Sequence, residues 1–224
     1  MVRRTKEEAQ ETRSRILDAA ERIFHAKGVA GASLEDIAAG AKVTRGAIYW
    51  HFKDKGELFD AMMKRVELPA QALMERTAQA GALDPLTILK RSACEVLLRT
   101  ARDRRMRRIA EITHYKCEYV GDAAGIRARH IASHKSCLKA IEDGFRACVR
   151  EGFLPREVDP REAAVGAMAY VSGLIAQWVL DPESFSLERR AESLVDIYFR
   201  GLACKPAPTK GVRRKTDGRS PSRR

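Results

Sequence analysis

The sequence predicts an all-α protein of about nine helices, in which a small N-terminal three-helix domain precedes a larger C-terminal helical domain. Three observations support this fold class. Apolar residues recur at three- and four-residue spacing along most of the chain. No segment alternates apolar and polar residues as a half-buried strand does, and glycine, proline or aspartate interrupts the helical stretches at short intervals. We expect domains over residues 1–53 and 54–203, followed by a tail over 204–224.

The first helix is predicted over residues 7–27, where one apolar stripe runs along the helix. The stripe comprises Ile16, Leu17, Ala20, Ile23 and Phe24. Gly28 is typical of the position just after a helix, and a short linker over 29–32 is expected to follow. Ser33 then begins a second helix, because Asp36 three residues later forms an approximate capping box with it.

The later helices are placed by caps and breakers in the same way. Thr44 is a typical N-cap, so a third helix is predicted from there to about His51 or Phe52. A longer fourth helix is predicted over 55–80, with Leu58, Phe59, Met62 and Val66 on its apolar side. Five more helices are predicted over 86–102, 104–119, 125–151, 160–180 and 187–203.

Residues 33–52 combine two short helices and a tight turn, which is how a recognition helix is braced for the DNA major groove. Val43, Ile48 and Phe52 are predicted to point inward. Arg45 is predicted to point outward, where it can donate two hydrogen bonds to guanine. Close approach to DNA is expected at Gly46 and Ala47, and phosphate contacts at Thr44, Tyr49, His51, Lys53 and Lys55. The alternative is an ordinary three-helix bundle in which Tyr49 and Trp50 are core residues.

Charge alone does not locate a DNA-binding domain. The chain carries 42 lysines and arginines against 30 aspartates and glutamates, a net charge of +12 that favours a polyanionic partner. Much of the excess lies in the tail KPAPTKGVRRKTDGRSPSRR, which is predicted to be disordered.

Several classes of protein are disfavoured by the sequence. The polar N-terminus does not resemble a signal peptide, and the five cysteines form no CxxC pair, so a cytoplasmic protein with reduced thiols and no zinc finger is expected. The uncharged stretch over 163–180 contains too many small and polar residues for a typical membrane span. We interpret it as a helix buried on all sides, and we expect no membrane partner.

The run VTRGAIYWHFKDKGELF, preceded by SLEDIA, resembles the DNA-binding domain of the TetR family of bacterial regulators. The resemblance implies that a helix-turn-helix holds double-stranded DNA. It implies phosphate contacts at Ser33, Thr44, Tyr49, His51 and Lys55, and base-edge contacts at Arg45, Gly46 and Ala47. Trp50 is expected to pack within the domain and to make some contact with the DNA backbone.

The run RRIAEITHYKCEYVGD over 107–122 and the opening MVRRTKEEAQETR resemble the AcrR-type branch of that family. This resemblance implies a repressor of a multidrug efflux pump, released from a palindromic operator by a small hydrophobic effector. The alternative within the family is a regulator of a metabolic or lipid gene set that answers a different effector.

The family also implies a cavity inside the C-terminal helices, and the sequence supplies apolar helix faces with few polar groups to line it. The predicted lining residues are Val66, Leu89, Ala93, Val96, Ile109, Ala110, Thr113, His114, Cys137, Ile141, Met168, Val171, Ser172 and Ile175. Of these, His114 is the favoured polar contact. The alternative is that these stripes are ordinary packed core and that His114 is a structural histidine.

A homodimer is expected through the eighth and ninth helices, in which Leu187, Leu194, Val195, Ile197 and Tyr198 form an apolar stripe on the ninth. The fourth helix is expected to begin beside the DNA and to end near the cavity. A ligand that fits one tilt of this helix would change the spacing of the two recognition helices.

An enzyme is the competing interpretation, because Glu111, His114, Cys117 and Glu118 share one helix. They lack the second Glu-x-x-His pair of a di-metal bundle site, so no catalytic activity, metal or cofactor is expected. The arginine cluster Arg99, Arg102, Arg104, Arg105, Arg107 and Arg108 resembles a nucleic-acid patch, but it is interpreted as facing solvent or the first domain.

Overall fold

The computed structural model describes residues 6–66, 83–118 and 124–203, and within these ranges the chain forms nine helices and no strand. The predicted all-α fold is therefore confirmed. The helices are α1 (Lys6–Gly31), α2 (Leu34–Ala41), α3 (Arg45–His51), α4 (Lys55–Met63), α5 (Pro85–Arg102), α6 (Arg104–Tyr115), α7 (Ala124–Arg150), α8 (Pro160–Leu180) and α9 (Leu187–Ala203).

The first helix breaks at Gly28, as predicted, because this residue takes a left-handed φ of 74°. The predicted linker is wrong in part, since the chain makes another helical turn as far as Gly31. The backbone N–H of Val29 donates to the carbonyl of Lys116 at 2.8 Å. This bond fixes the chain beyond the kink against the end of α6.

Two predicted helices are shorter than expected. The fourth ends at Met63 and is followed by a turn over 64–66. Arg65 holds that turn against α1, because it donates to Asp18 at 2.6 Å and to Ser14 at 3.1 Å. Residues 67–80 of the predicted fourth helix lie outside the described residues, as does the predicted disorder of 204–224. The sixth helix ends at Tyr115 rather than at residue 119.

The buried apolar residues form two cores. The first core is built from the first four helices, α1 through α4, and contains Phe24, Ile48 and Phe59 together with Ile109 of α6 and Ile126 of α7. The second core is built from α5, α7, α8 and α9 and from the segments between them. Each fully buried isoleucine or phenylalanine contributes about 1.5–3 kcal/mol to folding. Because α6 and α7 enter the first core, the C-terminal helices are fastened directly to the helix-turn-helix.

The prediction that α8 is buried on all sides is wrong for the single chain. This helix is long and apolar enough to cross a membrane by length and composition, with a mean hydropathy of 1.6 in its best window. Only 28% of that window is buried, and Val165 and Leu180 are 49% and 70% exposed. One face of α8 packs on the other C-terminal helices, while Val165 and Leu180 lie on its more exposed side.

Candidate nucleic-acid interface and ligand cavity

The start of α2 is fixed by the capping box that the sequence predicts. The backbone N–H of Asp36 donates to the Ser33 hydroxyl at 3.1 Å, and the Ser33 N–H donates to the Asp36 carboxylate at 3.1 Å. Lys27 donates to the same carboxylate at 2.7 Å. The Lys27 hydrogen bond, followed by those from Ser33, lowers the pKa of Asp36 to about 2.

The end of α2 is held by two arginines of α1. Arg15 donates to the Ala41 carbonyl at 2.7 Å, and Arg22 donates to the Gly40 carbonyl at 3.1 Å. Positive charge at this end of a helix also stabilises its dipole. Lys42 then turns the chain with a left-handed φ of 55°. These contacts fix the direction in which the chain enters α3.

The recognition helix α3 buries the side that the sequence predicts. Thr44 caps it by accepting a hydrogen bond from the Ala47 N–H at 3.2 Å. Ile48 and Phe52 are 0% and 2% exposed in the first core. Because these two residues lie one turn apart, the opposite face of α3 is left open.

Arg45 and Tyr49 lie together on the open face. The Arg45 guanidinium donates to the Tyr49 hydroxyl at 3.1 Å, stacks 5.5 Å from the centre of its ring, and forms an ion pair with Glu35. The Tyr49 hydrogen bond, and then the charge of Glu35, raise the pKa of Arg45. The guanidinium is thus held beside Tyr49 and Glu35 on the open face of α3.

The expectation that Trp50 packs within the domain is wrong. Its side chain is 72% exposed, and its ring meets His51 edge-on with 4.5 Å between ring centres. Successive residues of a helix are about 100° apart, so Trp50 points about 200° away from the buried Ile48. Trp50 is therefore accessible to a partner of α3.

A cleft of about 620 Å³ lies beside α3. It is bordered by five predicted DNA contacts, Ser33, Arg45, Tyr49, Lys53 and Lys55, and by Gly125 and Arg129 of α7. Lys55 donates to the Ala32 carbonyl at 3.1 Å, which ties the start of α4 to the segment before α2. The other predicted contacts, Thr44, Gly46, Ala47, Trp50 and His51, lie in or directly before α3, outside the cleft lining.

A second cavity of about 340 Å³ lies among the C-terminal helices. All fourteen residues predicted for the ligand site line it, although their contact with a ligand stays a prediction. The sequence reasoning missed Met63, Ser92, Glu95, Arg99, Thr100, Met106, Phe145, Ala167 and Phe199. The spacing of Ser92, Glu95 and Arg99 along α5 already placed them on the predicted face. Charged side chains such as Glu95 and Arg99 are nevertheless uncommon in an apolar wall.

His114 is one of seven polar or charged side chains in the cavity wall, with Ser92, Glu95, Arg99, Thr100, Thr113 and Ser172. Burial, and then the charge of His130, lower the pKa of His114, so its imidazole is neutral over more of the physiological pH range than a free histidine. The Thr113 hydroxyl is less available as a hydrogen-bond donor to a ligand, because it already donates within α6 to the carbonyls of Ile109 and Ala110, at 2.9 and 3.0 Å.

Comparison with known proteins agrees with this geometry. Residues 16–62 match the family model described as bacterial regulatory proteins of the tetR family. Residues 84–204 match the C-terminal region of MAATS-type transcriptional repressors. The chain belongs to the TetR family of transcriptional regulators. The predicted family is confirmed, and so is the expectation of a regulator rather than an enzyme.

Three relatives of this TetR-family chain illustrate the match. The regulator AcrR of Shigella flexneri is 40% identical over 200 residues, which is 88% of this chain and 92% of AcrR. NalD, the secondary repressor of the MexAB-OprM multidrug efflux pump in Pseudomonas aeruginosa, is 36% identical with a TM-score of 0.79, over 88% of this chain and 98% of NalD. SmeT, the repressor of the Stenotrophomonas maltophilia efflux pump SmeDEF, solved with triclosan, is 32% identical with a TM-score of 0.75, over 89% of this chain and 100% of SmeT.

In this TetR-family chain, ion pairs join the DNA-binding part to α6. Arg105 contacts Asp18 at 2.8 Å and Glu21 at 3.1 Å, and Arg108 contacts Glu21 at 2.9 Å. The Glu21 side chain is only 4% exposed. Next to this cluster, Glu111 pairs with His25 of α1. Part of the arginine cluster therefore faces the first domain, as predicted.

Two other arginines of the cluster have different surroundings. Arg99 lines the cavity, so the expectation that the cluster faces only solvent or the first domain is wrong for this residue. Arg107 stacks 4.7 Å from the ring centre of Trp178.

Two cysteines are poor candidates for redox sensing. Burial raises the pKa of Cys94 to about 11 and that of Cys148 to about 12. Both thiols therefore stay protonated at neutral pH, and the thiolate is the reactive form.

Proposed function

We propose that this chain is a cytoplasmic, dimeric repressor of a multidrug efflux pump. It binds a palindromic operator through α3 and releases it when a lipophilic small molecule occupies the cavity. The similarity to NalD and SmeT, which are repressors of such pumps, supports the choice of target gene. The TetR-family match supports DNA binding and a response to a small molecule.

The path from cavity to DNA is the observation that carries this proposal. Lys55, the first residue of α4, borders the cleft beside the recognition helix. Met63, the last residue of α4, and Val66 in the following turn line the cavity. Nine residues of helix span about 13 Å. A ligand that displaces Met63 therefore acts on the far end of the helix that positions Lys55.

The cavity suits a compact, mostly apolar effector. Its volume of about 340 Å³ is near the lower end for small-molecule sites. The neutral imidazole of His114 can accept or donate one hydrogen bond, which fits a phenol or a similar weakly polar group. Triclosan, which SmeT binds in the solved complex, has this chemistry and is a suitable first probe.

Dimerisation through α8 and α9 is supported by apolar surface that the single chain leaves open. Val165 and Leu180 on α8 and Ile197 on α9 are 49%, 70% and 64% exposed. By contrast, Leu187 and Val195 of the predicted stripe are buried in the second core and are not available to a partner. A twofold dimer would place two recognition helices about 34–36 Å apart, or a multiple of this distance.

The test begins with selection of duplexes that the purified protein binds, followed by fluorescence anisotropy on the selected inverted repeat at physiological salt. We expect at least one compound of a lipophilic panel that includes triclosan to weaken binding about 5–150-fold. A protein that is monomeric, or that selects no inverted repeat, would contradict the proposed dimeric repressor. A complex that no panel member loosens would contradict control by lipophilic drugs.

Variants of α3 separate the predicted contacts. Arg45→Ala should relax the preference at one base pair of each half-site, because a bidentate arginine–guanine contact discriminates bases. Tyr49→Ala should weaken binding to all sequences, because a phosphate contact carries no sequence information. Equal losses on all sequences for both variants would contradict the assignment of Arg45.

A further inference from the structure

Helix α7 connects both cores and the cavity. It contains 27 residues and is therefore about 40 Å long. Ile126 in its first turn is fully buried in the first core, and Phe145 near its other end is fully buried in the second. Between them, Cys137 and Ile141 line the cavity. One continuous helix thus runs from the cavity wall into the DNA-binding part.

The N-terminal part of α7 is fastened to α4 by Arg129. The guanidinium donates to Asp60 in the second turn of α4 at 3.3 Å. It also lies 3.7 Å from Asp54, the N-cap whose carboxylate accepts from the Glu57 N–H at 2.7 Å. Arg129 therefore bridges two carboxylates on α4, one of which also starts that helix.

The two helices lie too close to slide freely at this bridge. A Cβ placed on Gly56 would lie 3.3 Å from the Arg129 guanidinium and 3.5 Å from Ile126. Both contacts are in the first turn of α4, next to Lys55. The DNA-facing end of α4 is thus held by α7 as well as by the Lys55–Ala32 contact.

We infer that Arg129 is a positioning residue through which α7 links occupancy of the cavity to the DNA-binding surface. The link rests on the proposed function, since it needs an effector in the cavity. The far end of α4 meets the cavity at Met63, and Arg129 holds the near end. A displacement at Met63 is then passed along α4 to Lys55, because the bridge makes the first turn of α4 move together with α7. Without the bridge, the near end of α4 relaxes independently, and the same displacement has less effect on DNA binding.

The first experiment compares Arg129→Ala with Arg127→Ala, a matched control because Arg127 is exposed two residues earlier on the same helix. Calorimetry gives the affinity of the free protein for triclosan, and anisotropy gives the operator affinity with and without triclosan. We expect Arg129→Ala to bind triclosan as the wild type does, while the triclosan-induced loss of operator affinity becomes about three- to fivefold smaller. Arg127→Ala should keep the wild-type loss.

A charge exchange separates positioning from simple structural damage. The double variant Asp60→Arg with Arg129→Asp can re-form the bridge with reversed charges, and we expect it to recover at least part of the coupling. A wild-type coupling factor in Arg129→Ala would overturn the inference. So would a loss of triclosan affinity that accounts for the whole effect.

A second measurement needs only DNA. Coupling between two sites is reciprocal, so operator binding should change hydrogen exchange of the amides over 137–145 in the wild type and in Arg127→Ala. The change should be smaller in Arg129→Ala. A segment that does not respond in the wild type, or that responds equally in Arg129→Ala, would overturn the inference. Should no compound bind the wild type, the proposed effector chemistry fails, and this measurement still decides the role of Arg129.

Discussion

Glu21 is a buried acid that pairs with two arginines. Replacing Glu21 and removing its two arginine partners should lower the free energy of unfolding by unequal amounts. Its carboxylate receives one hydrogen bond each from Arg105 and Arg108, and its side chain is 4% exposed. The two arginines are 41% and 39% exposed, so water can solvate them when the acid is removed. Removing both arginines instead leaves a carboxylate buried without its cationic partners.

The expected magnitudes follow from this asymmetry. Removing the partners of a buried charge costs 3–5 kcal/mol, and we expect about 3 kcal/mol for Arg105→Met with Arg108→Met because the pairs are partly exposed. Glu21→Gln keeps a polar group that can still accept a hydrogen bond, and should cost about 1 kcal/mol. For a chain of this size, 1 kcal/mol corresponds to about 2–4 °C in Tm. The double arginine variant should therefore melt about 6–12 °C below the wild type.

Thermal unfolding followed by circular dichroism measures both variants at one fixed protein concentration, because the Tm of a protein that self-associates depends on its concentration. Arg104→Ala is the control, since Arg104 is exposed at the start of the same helix. A double arginine variant that melts no lower than Glu21→Gln would refute the reasoning.

Three further outcomes are expected. Gly46→Ala should stabilise the free protein by about 0.5–1 kcal/mol, since an added Cβ has no atom closer than 3.9 Å. The same variant should weaken operator binding, measured by anisotropy, because the backbone is expected to approach DNA at Gly46. Because the pKa of Asp36 is lowered, its contribution to stability is present above about pH 4 and is lost as the pH falls toward 2. Asp36→Asn should therefore make the free energy of unfolding, measured in urea, depend less on pH over that range. Gly166→Ala should cost about 1–3 kcal/mol, because its Cβ would lie 2.5 Å from the Tyr198 hydroxyl, and adding Tyr198→Phe should restore part of this in urea unfolding.

Local chemistry made the helix-turn-helix predictable. The cap of α2 at Ser33 and the cap of α3 at Thr44 depend on residues within three positions, and both are present in the structure. Ile48 and Phe52 follow from helical spacing alone. The cavity-facing stripes were predictable for the same reason, because one face of an amphipathic helix can be read from the sequence.

Contacts between distant residues account for what the sequence did not predict. The turn after Met63 depends on Arg65 meeting Asp18, and the end of α6 depends on Lys116 meeting Val29. The exposure of Trp50 was missed because a large aromatic residue is usually packed. Spacing places Glu95 and Arg99 on the cavity face, but charged side chains are uncommon in an apolar wall.

The residues of the cavity wall are not all equally free to vary, whether in evolution or in biosensor design. Val66 and Ile109 line the cavity and also belong to the first core, so exchanging them for smaller residues would loosen the helix-turn-helix. Met168 and Ser172 on α8 line the cavity outside both sets of fully buried residues. New inducer preferences should therefore arise more readily by replacements on the α8 side, where ligand recognition can change while DNA binding is retained.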